Sequence, residues 1–381
     1  MNILFVSSVD VQGGATTALV NLAAGLQAKG HNVYVALNKG HGVLSHLLEN
    51  YKIPYYDIPV GMTVYPSRRN LFRWLMRLCL NLREWYISIR KIEKLINVLN
   101  VDIVHSNVGP IDIGYKAAKH AHIPHVWHQR EELDVIGLSF FPSYIFFLKE
   151  CHSVCNYNIA ITKEVFEHYK LRPGKDIVIY DGVLSLDSIS IPLNKEKEKI
   201  ILFVGRVEYN KQPGIVIEAF STFFKTHPDY QLHIVGAYDH DQEYYNFCRS
   251  LVLQYKLSEV VHFLGPRDDV LQLMGQAKMF VMPSLSEGFG FTTVEAMCMG
   301  TPVIGRNTTG TKEQFDRGLN DTGMEIGLRF TNVNELVQCM ERCVSEDMSG
   351  MVNNARHYVA THYTIKDHID NVERYYKRLL G

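Results

Sequence analysis

Two patterns of hydrophobic residues alternate along the first half of the chain. Short apolar runs indicate buried strands, and stretches with apolar residues every three or four positions indicate amphipathic helices. In the helix predicted over Gly13–Gly30, Leu19, Leu22 and Leu26 share one face. The other predicted helices are Val43–Tyr51, Asn70–Asn100 and Ile111–His122, and the predicted strands are Ile3–Ser7, Val33–Leu37, Tyr55–Ile58, Asp102–Ser106, His125–His128, Ile159–Ile161 and Ile177–Tyr180.

A polar segment, Asp181–Lys199, interrupts this pattern and ends in a run of charges, which is typical of a linker. After it the alternation resumes. The predicted strands here are Ile200–Arg206, Tyr230–Ala237, Val260–Gly265, Met279–Ser284 and Pro302–Gly305, and the predicted helices are Pro213–Lys225, Gln242–Lys256, Asp268–Gln276 and the stretch after Gly290. Strand–helix alternation predicts an α/β fold with two doubly wound, Rossmann-like parallel-sheet domains.

The predicted boundaries follow from these patterns. We expect an N-terminal domain over 1–182, a linker over 183–199 and a C-terminal domain over 200–363. A last helix, 364–381, is expected to pack back on the first domain. In open α/β sheets ligands bind beyond the carboxyl ends of the strands, so two domains facing each other there would share one site in the cleft between them.

Composition restricts the class of protein. The 381 residues are 46% hydrophobic and 21% charged, with a net charge of -1, which argues against a nucleic-acid partner. No apolar run reaches about 18 residues and the first residues are typical of a strand, so we expect a cytoplasmic protein without a signal peptide or a membrane-spanning helix. Seven cysteines without zinc-site spacing favour reduced thiols over a metal site.

Candidate anion-binding residues lie at two predicted strand ends. Gly13 and Gly14 precede a helix, where backbone N–H groups can either bind an anion or simply form a tight turn. Arg206 and Lys211 follow the first strand of the second half. Their planar fork and point charge together suit a diphosphate, although a solvated surface pair fits the same spacing.

The stretch "SEGFGFTTVEAM" carries two acids, Glu287 and Glu295, on either side of a Gly-Phe-Gly turn. The N–H groups of Gly290, Phe291 and Thr292 would form an anion site at a helix N-terminus. A carboxylate one turn into that helix could accept hydrogen bonds from a vicinal diol such as ribose. An acid that stabilises a helix start would explain one of the two, but not the pair.

At these residues the chain resembles the retaining glycosyltransferases of family 4, which have the GT-B fold. The most specific matches are "FVGRVEYNKQ", "HFLGPRDDVLQLMGQAKMFVMPSLSEGFGFTTVEAMCMGTPVI" and "TGTKEQF". The resemblance implies that Arg206 and Lys211 bind the diphosphate of a nucleotide-sugar. It also implies that Glu295 binds the ribose and Glu287 the transferred sugar, with Gly265 and Arg267 near the base.

For the N-terminal half, "PHVWHQREE" matches the strand-end histidine of the family. The resemblance implies that His128 contacts the donor sugar from across the cleft, although a hydrogen-bonded histidine of other purpose fits the sequence as well. Arg130 and Glu131 become acceptor-side or structural candidates. Asp181 stands where the family usually has Asn, so we assign it no role.

The implied reaction transfers a hexose-type sugar with retention of configuration, and the catalytic candidates are Glu287, His128, Arg206 and Lys211. The resemblance implies neither a metal nor any other cofactor. A UDP-sugar is favoured over a GDP-sugar, with a glycan or lipid-linked acceptor in bacterial-type surface polysaccharide synthesis. The alternatives are a non-catalytic sugar-nucleotide-binding subunit and another GT-B enzyme, such as a nucleotide-sugar epimerase or a phosphorylase.

A membrane contact is the last expectation. Eight basic residues lie between positions 68 and 94, interleaved with Trp74 and Trp85, and Leu138–Leu148 is a second apolar stretch. A basic helix with aromatic residues either contacts the inner face of an anionic membrane or is a core helix with a solvated basic face. In the first case both tryptophans would lie at headgroup level, and a lipid-linked acceptor would be expected.

Overall fold

The structure is a computed structural model of the chain. It describes residues 1–8, 13–38, 42–59, 64–65, 71–108, 111–132, 139–140, 143–193, 196–239 and 241–381, with the backbone alone at 64–65, 71–78 and 139. The chain divides into two compact units. The first comprises Met1–Gly182 and Ile365–Gly381, and the second comprises Val183–Thr364.

The first unit contains a parallel sheet flanked by helices. Its elements before the second unit are β1 (Asn2–Ser7), α1 (Gly14–Ala28), β2 (Asn32–Leu37), α2 (Val43–Asn50), β3 (Tyr55–Asp57), β4 (Val64–Tyr65), α3 (Leu71–Leu99), β5 (Ile103–Ser106), α4 (Ile113–His120), β6 (His125–Gln129), β7 (Ser139–Phe140), α5 (Tyr144–Cys151), β8 (Asn156–Ala160), α6 (Lys163–His168) and β9 (Ile177–Val178).

The described strands of this unit form a seven-stranded sheet in the order β3-β2-β1-β5-β6-β8-β9, and β4 pairs with β7 separately. Successive residues of β1 point to opposite faces, so Ile3 and Phe5 join the core on the α1 side. Leu4 and Val6 join the core on the side of α3 and α4. Burial on both faces explains why β1 has an uninterrupted apolar sequence.

The second unit repeats this plan. Its elements are α7 (Leu186–Ser190), β10 (Glu198–Val204), a 3-10 turn (Tyr209–Lys211), α8 (Pro213–Phe223), β11 (Gln231–Val235), α9 (Gln242–Gln254), β12 (Val261–Gly265), α10 (Val270–Gln276), β13 (Ala277–Met282), α11 (Phe291–Cys298), β14 (Val303–Arg306), α12 (Thr309–Thr322), β15 (Leu328–Phe330), α13 (Val333–Ser345) and α14 (Ser349–His362). The strands form a six-stranded parallel sheet in the order β12-β11-β10-β13-β14-β15. Segment 183–199, expected to be a linker, contains α7 and the start of β10 and belongs to this unit.

The last helix, α15 (Ile365–Leu380), belongs to the first unit. Its residues Val372 and Tyr376 lie in the core on the α1 side of the sheet. A Cβ atom added to Gly25 of α1 would lie 2.0 Å from Cδ1 of Ile369, so the two helices pack closely at this glycine. The predicted fold class, two doubly wound parallel sheets, is confirmed.

Candidate functional site

The second sheet reverses its strand order at one place. From β10 the chain proceeds outward to β11 and β12, then returns to place β13 on the other side of β10 and continues to β14 and β15. The loops after β10 and β13 therefore diverge from neighbouring strands, which leaves a crevice at their carboxyl ends. The predicted residues Arg206 and Lys211 lie on the first loop, and Glu287 lies on the second.

Lys211 and Glu287 are brought together across this crevice. The Nζ atom of Lys211 lies 2.6 Å from Oε1 of Glu287, and both side chains are largely shielded from solvent. Asn210 ties the same two loops by two hydrogen bonds. Its Nδ2 donates to the carbonyl of Ser286 at 3.0 Å, and its own carbonyl accepts from the N–H of Leu285 at 2.9 Å.

The start of α12 fixes the position of Glu287. The N–H of Glu287 donates to Oγ1 of Thr309 at 2.9 Å, and its carbonyl accepts from the N–H of Gly310 at 3.0 Å. A Cβ atom at Gly310 would lie 2.7 Å from that carbonyl oxygen, so only glycine fits there. The resemblance included this "TGTKEQF" stretch, but its contacts depend on a β13–β14 pairing that sequence reasoning had not placed.

The glycine turn predicted before α11 is present, and Gly290 within it is buried. Gly290 precedes the helix with φ of 89°, a conformation that favours glycine. The first N–H groups of a helix have no acceptor within it. Within the described part of the chain, no hydrogen bond from the N–H of Gly290 or Phe291 to another backbone carbonyl is found. Gln314 of α12 donates through Nε2 to the carbonyls of Phe289, at 2.5 Å, and Gly290, at 3.3 Å.

Glu295 lies one turn into α11 and is partly exposed. Among the described residues its carboxylate has neither a hydrogen-bond partner nor an ion pair. Burial raises the pKa of Glu295 to about 7 because removal from water disfavours the charged form. A carboxylate in this position is a strong hydrogen-bond acceptor without an internal donor.

Of the remaining predicted residues of this unit, Arg206 and Arg267 are exposed, whereas Gly265 is buried. Arg206 pairs with Glu208, with 3.3 Å between Nη2 and Oε1, and not with Glu287. Arg267 pairs with Asp269 at 2.6 Å on the surface. Gly265 ends β12 with φ of 66°, and its carbonyl accepts from the N–H of Gly236 at 2.9 Å.

In the first unit, Gly13 and Gly14 form an exposed helix start. The carbonyl of Gly13 accepts from the N–H of Thr17 at 3.1 Å, and a Cβ atom at Gly13 would have no neighbour within 4 Å. Close backbone packing therefore does not require a glycine at 13. The residues immediately before it, 9–12, lie outside the described part of the chain.

His128 and Arg130 lie in a buried polar cluster of the first unit. The His128 ring lies between those of His105, at 5.3 Å, and His368, at 6.1 Å between centroids. Nη2 of Arg130 donates to Nδ1 of His128 at 3.3 Å, and since Arg can only donate, the His128 proton resides on Nε2. Burial, together with the Arg130 charge, holds the pKa of His128 well below its ordinary value.

This burial bears on the expectations for His128 and Arg130. His128 is completely buried, so its ring presents no surface to a sugar in this conformation. The Arg130 guanidinium is also buried, with Nε bonded to Asn107 and Nη1 2.5 Å from Asp181. Of the two alternatives for Arg130, acceptor-side or structural, these contacts favour the structural one. Glu131 is exposed, and its carbonyl accepts from the hydroxyl of Tyr169 at 2.7 Å.

The expected membrane helix is α3, and one of its two tryptophans faces the protein. Nε1 of Trp85 donates to Oδ1 of the buried Asp112 at 2.9 Å, and the ring packs against the core. The predicted headgroup position of Trp85 is therefore wrong, and the Trp74 side chain lies outside the described residues. Leu80, Leu82 and Tyr86 are exposed instead. The exposed basic residues are Arg83, Arg90, Lys91 and Lys94.

Within the described ranges of the chain, none of the helices is both long enough and apolar enough to cross a bilayer. In the same ranges, no three His, Cys, Asp or Glu side chains are grouped as metal ligands would be. Of the second apolar stretch, Leu138–Leu148, the described part of α5 exposes Ile145 and Phe146 and buries Phe147.

Comparison with known proteins places both halves of the chain. Residues 12–183 match the model of Glycosyltransferase Family 4, and residues 187–357 match that of Glycosyl transferases group 1. A D-inositol 3-phosphate glycosyltransferase of Corynebacterium aurimucosum is 28% identical over 43% of this chain and 42% of its own length. An uncharacterized glycosyltransferase of Methanocaldococcus jannaschii is 26% identical over 93% of this chain and 91% of its own.

A solved structure extends the comparison to the fold. Anabaena HepE in complex with UDP-glucose superposes with a TM-score of 0.77 at 21% identity, covering 98% of both chains. The alignment with the corynebacterial enzyme spans less than half of that relative, whereas the structural match is complete. With both halves matched and the fold shared, the chain belongs to the glycosyltransferases that join a family 4 N-terminal half to a group 1 C-terminal half in the GT-B fold.

Proposed function

We propose that this protein transfers a hexose-type sugar from a nucleotide-sugar to a glycan or lipid-linked acceptor, with retention of configuration and without a metal ion. One observation carries the proposal. At the switch point of the second sheet, the Lys211–Glu287 pair lies at the loops that lead to α8 and α11, and α11 carries the partnerless carboxylate of Glu295. Within the described residues, a cation, N–H groups without a backbone acceptor and a carboxylate without a hydrogen-bond donor together match a diphosphate linked to a sugar.

The leaving diphosphate is the group that most needs stabilising. Negative charge grows on its oxygens as the bond to the sugar breaks, and preorganised positive groups lower that barrier. Lys211 supplies a point charge, Arg206 a second one on the same loop, and the N-terminus of α11 supplies aligned N–H groups. These groups perform the electrostatic work for which other transferases use a metal. Departure of the diphosphate and attack of the acceptor on the same face would retain the configuration.

The two acids would serve the two ends of the sugar donor. Glu295, without an internal hydrogen-bond donor, accepts from the ribose hydroxyl groups. Glu287 is oriented by Thr309 and Gly310 and holds the transferred sugar through its hydroxyl groups. A UDP-sugar is favoured because the structurally similar HepE binds UDP-glucose; a GDP-sugar is the alternative. Gly265 and Arg267 would border the base.

We further propose that the acceptor belongs to surface polysaccharide synthesis at the inner face of the plasma membrane. The exposed face of α3 combines Leu82 and Tyr86 with Arg83 and Arg90. Apolar and basic groups on one helix face suit an anionic lipid surface, where a lipid-linked acceptor resides.

Thermal unfolding of the protein with a panel of UDP- and GDP-sugars tests the proposal. A ligand at about 100 times its dissociation constant adds roughly 2.7 kcal/mol to stability. The stabilising nucleotide-sugar is then incubated with glycan and lipid-linked acceptors, and the anomeric configuration of the product is determined. Stabilisation without turnover would favour the non-catalytic sugar-nucleotide-binding subunit. Release of an epimerised sugar would favour an epimerase.

A further inference from the structure

The side chain of Gln314 contacts the glycine turn before α11, and the resemblance to family 4 assigns this residue no role. Gln314 of α12 is buried, and its Nε2 lies 2.5 Å from the carbonyl oxygen of Phe289 and 3.3 Å from that of Gly290. These are the two carbonyls immediately before the first helical residue, Phe291. A buried amide that donates to consecutive carbonyls constrains the peptide planes to which they belong.

Because the peptide bond is planar, this contact also determines the direction in which the N–H groups point. In a trans peptide the C=O and N–H bonds are rigidly coplanar and point in opposite directions. Because the Phe289 carbonyl points toward Gln314, the N–H of Gly290 points away from α12. The same relation directs the N–H of Phe291 away from Gln314.

The surroundings show that this contact is specific. Gly290 has φ of 89°, so without an external restraint the turn has wide conformational freedom. A Cβ atom at Gly290 would lie 3.4 Å from Oγ1 of Thr293, 3.6 Å from Nε2 of Gln314 and 3.8 Å from Oγ1 of Thr311. Oγ1 of Thr293 and Oε1 of Gln314 are themselves buried, and neither has a hydrogen-bond partner among the described residues. Within this pocket, the Gln314 amide donates to both turn carbonyls.

We infer that Gln314 is a positioning residue, which orients the N–H groups of Gly290 and Phe291 toward the terminal phosphate of the bound nucleoside diphosphate. This role rests on the proposed function, because it requires a diphosphate at the N-terminus of α11. Gln314 itself does not contact the ligand. Its effect is therefore selective: it changes the affinity for a ligand with two phosphates more than for a ligand with one.

Calorimetric titration of the full-length protein with UDP and UMP tests this role. Gln314→Met keeps the length of the side chain and removes the amide, and it should weaken UDP about tenfold while changing UMP binding much less. Gln314→Glu should recover UDP affinity as the pH falls, relative to the wild type, because a protonated carboxyl group can again donate to the Phe289 carbonyl. Gln254→Met, at an exposed position of α9, is the matched control and should leave both affinities unchanged.

Two outcomes would overturn the inference. If Gln314→Met weakens UDP and UMP binding by the same factor, or leaves both affinities at the wild-type value, Gln314 only supports the fold. That result leaves the proposed function intact, since the wild type still binds UDP. A wild-type protein that binds neither UDP nor GDP would instead overturn the proposed function, and the role of Gln314 with it.

Discussion

Lys211 and Glu287 lie 76 positions apart in the sequence and form an ion pair with 2.6 Å between Nζ and Oε1. Each occupies the loop after one of the two central strands, β10 and β13, at which the strand order reverses. Removal of one partner leaves the other charge partly buried and unpaired, which is unfavourable. The pair thus keeps both side chains in place in the crevice.

The first prediction concerns these two residues. Lys211→Ala should lower kcat more than it raises the KM for the nucleotide-sugar, because charge on the leaving diphosphate is greatest in the transition state. The expected loss in kcat is about 10²–10³-fold, as for the removal of one such hydrogen-bond donor. Glu287→Gln should reduce turnover while leaving affinity for the free nucleoside diphosphate almost unchanged. A Lys211→Ala enzyme in which only KM changes would make Lys211 a ground-state binding residue.

The sequence predicts those parts of the site whose interacting residues lie close together along the chain. Local patterns located the glycine turn before α11 and placed Glu287 and Glu295 beside it. The contacts of Thr309, Gly310 and Gln314 with that turn join α12 to the loop before α11, and no local pattern encodes which strands are neighbours. The β13–β14 pairing brings these segments together.

The burial of His128 and the inward position of Trp85 cannot be predicted from local patterns for the same reason. A histidine at the end of a strand faces either a cleft or the neighbouring helices, and alternation along β6 directs His128 toward α15. Trp85 was expected at a surface because of its basic neighbours in the sequence. The structure shows that a buried acceptor, Asp112, accepts its indole N–H from across the unit. Burial of a polar residue depends on distant partners, so composition of the flanking sequence does not reveal it.

The second prediction concerns Gly310. Gly310→Ala should reduce activity strongly, because a methyl group 2.7 Å from the Glu287 carbonyl oxygen displaces the loop that carries this acid. Gly350→Ala is the control: it lies in α14, where a Cβ atom meets nothing within 4 Å. That change should stabilise the protein by up to about 1 kcal/mol. Urea unfolding and turnover together test the pair, and a fully active Gly310→Ala enzyme would show that the loop tolerates the shift.

The third prediction concerns the pH dependence caused by Glu295. Its pKa in the folded protein, about 7, lies above its ordinary value of 4.5. The folded state therefore retains a proton that the unfolded state has lost, and the free energy of unfolding decreases as the pH rises from 4.5 to about 7. Glu295→Gln should stabilise the protein by about 1–3 kcal/mol at pH 8 and by almost nothing at pH 4.5.

The same substitution should weaken nucleotide binding. If the carboxylate accepts from the ribose hydroxyl groups, its loss costs about 1.5–3 kcal/mol of binding free energy. Wild-type affinity for UDP should rise as the pH increases through about 7, and Glu295→Gln should remove that component of the profile. A variant that gains stability at pH 8 without losing affinity would show that Glu295 is buried for a reason unrelated to ribose.

The fourth prediction is a loss of stability in weak acid that originates in the first unit. Burial lowers the pKa of His125 to about 4, and the pKa values of His105, His128 and His368 are lowered in the same direction by burial. The unfolded state binds these protons first, so the stability that these histidines contribute is complete above about pH 6.5 and decreases as the pH falls below it. At pH 5, His125 alone should cost about 2 kcal/mol relative to pH 7.5.

Urea unfolding between pH 4.5 and 7.5 measures this effect. Carboxylates with lowered pKa values, such as Glu373 at about 2, lose their stabilising charge only below this window. His125→Gln should reduce the pH dependence of the unfolding free energy by the contribution of one histidine. The variant is also less stable throughout, because His125 bonds to Ser106 and Asn156. Glu295 contributes the opposite pH dependence in this window, so the test is the difference between the two proteins. The same pH dependence in the wild type and in His125→Gln would show that His125 has the same pKa in the folded and unfolded states.

The last prediction concerns the exposed face of α3. Leu82, Arg83, Tyr86 and Arg90 are exposed at helical spacings of three and four, so apolar and basic groups share this face. Each basic residue near an anionic membrane contributes on the order of 1 kcal/mol. This attraction weakens with salt, because exposed charges are screened beyond about 10 Å at 0.1 M ionic strength. The protein should therefore co-sediment with vesicles that contain anionic lipid at low salt, and less so at high salt.

Charge-reversal variants distinguish membrane binding through this face of α3 from a general effect of net charge. Arg83→Glu combined with Arg90→Glu should abolish binding to anionic vesicles while leaving turnover of a water-soluble acceptor unchanged. The matched control reverses Arg249 and Lys256, which are exposed on or just after α9 of the second unit, and it should retain binding. Because both variants change the net charge equally, only a specific surface on α3 distinguishes them. Equal losses in the two variants, or wild-type protein that ignores anionic vesicles, would make α3 a helix with a solvated basic face.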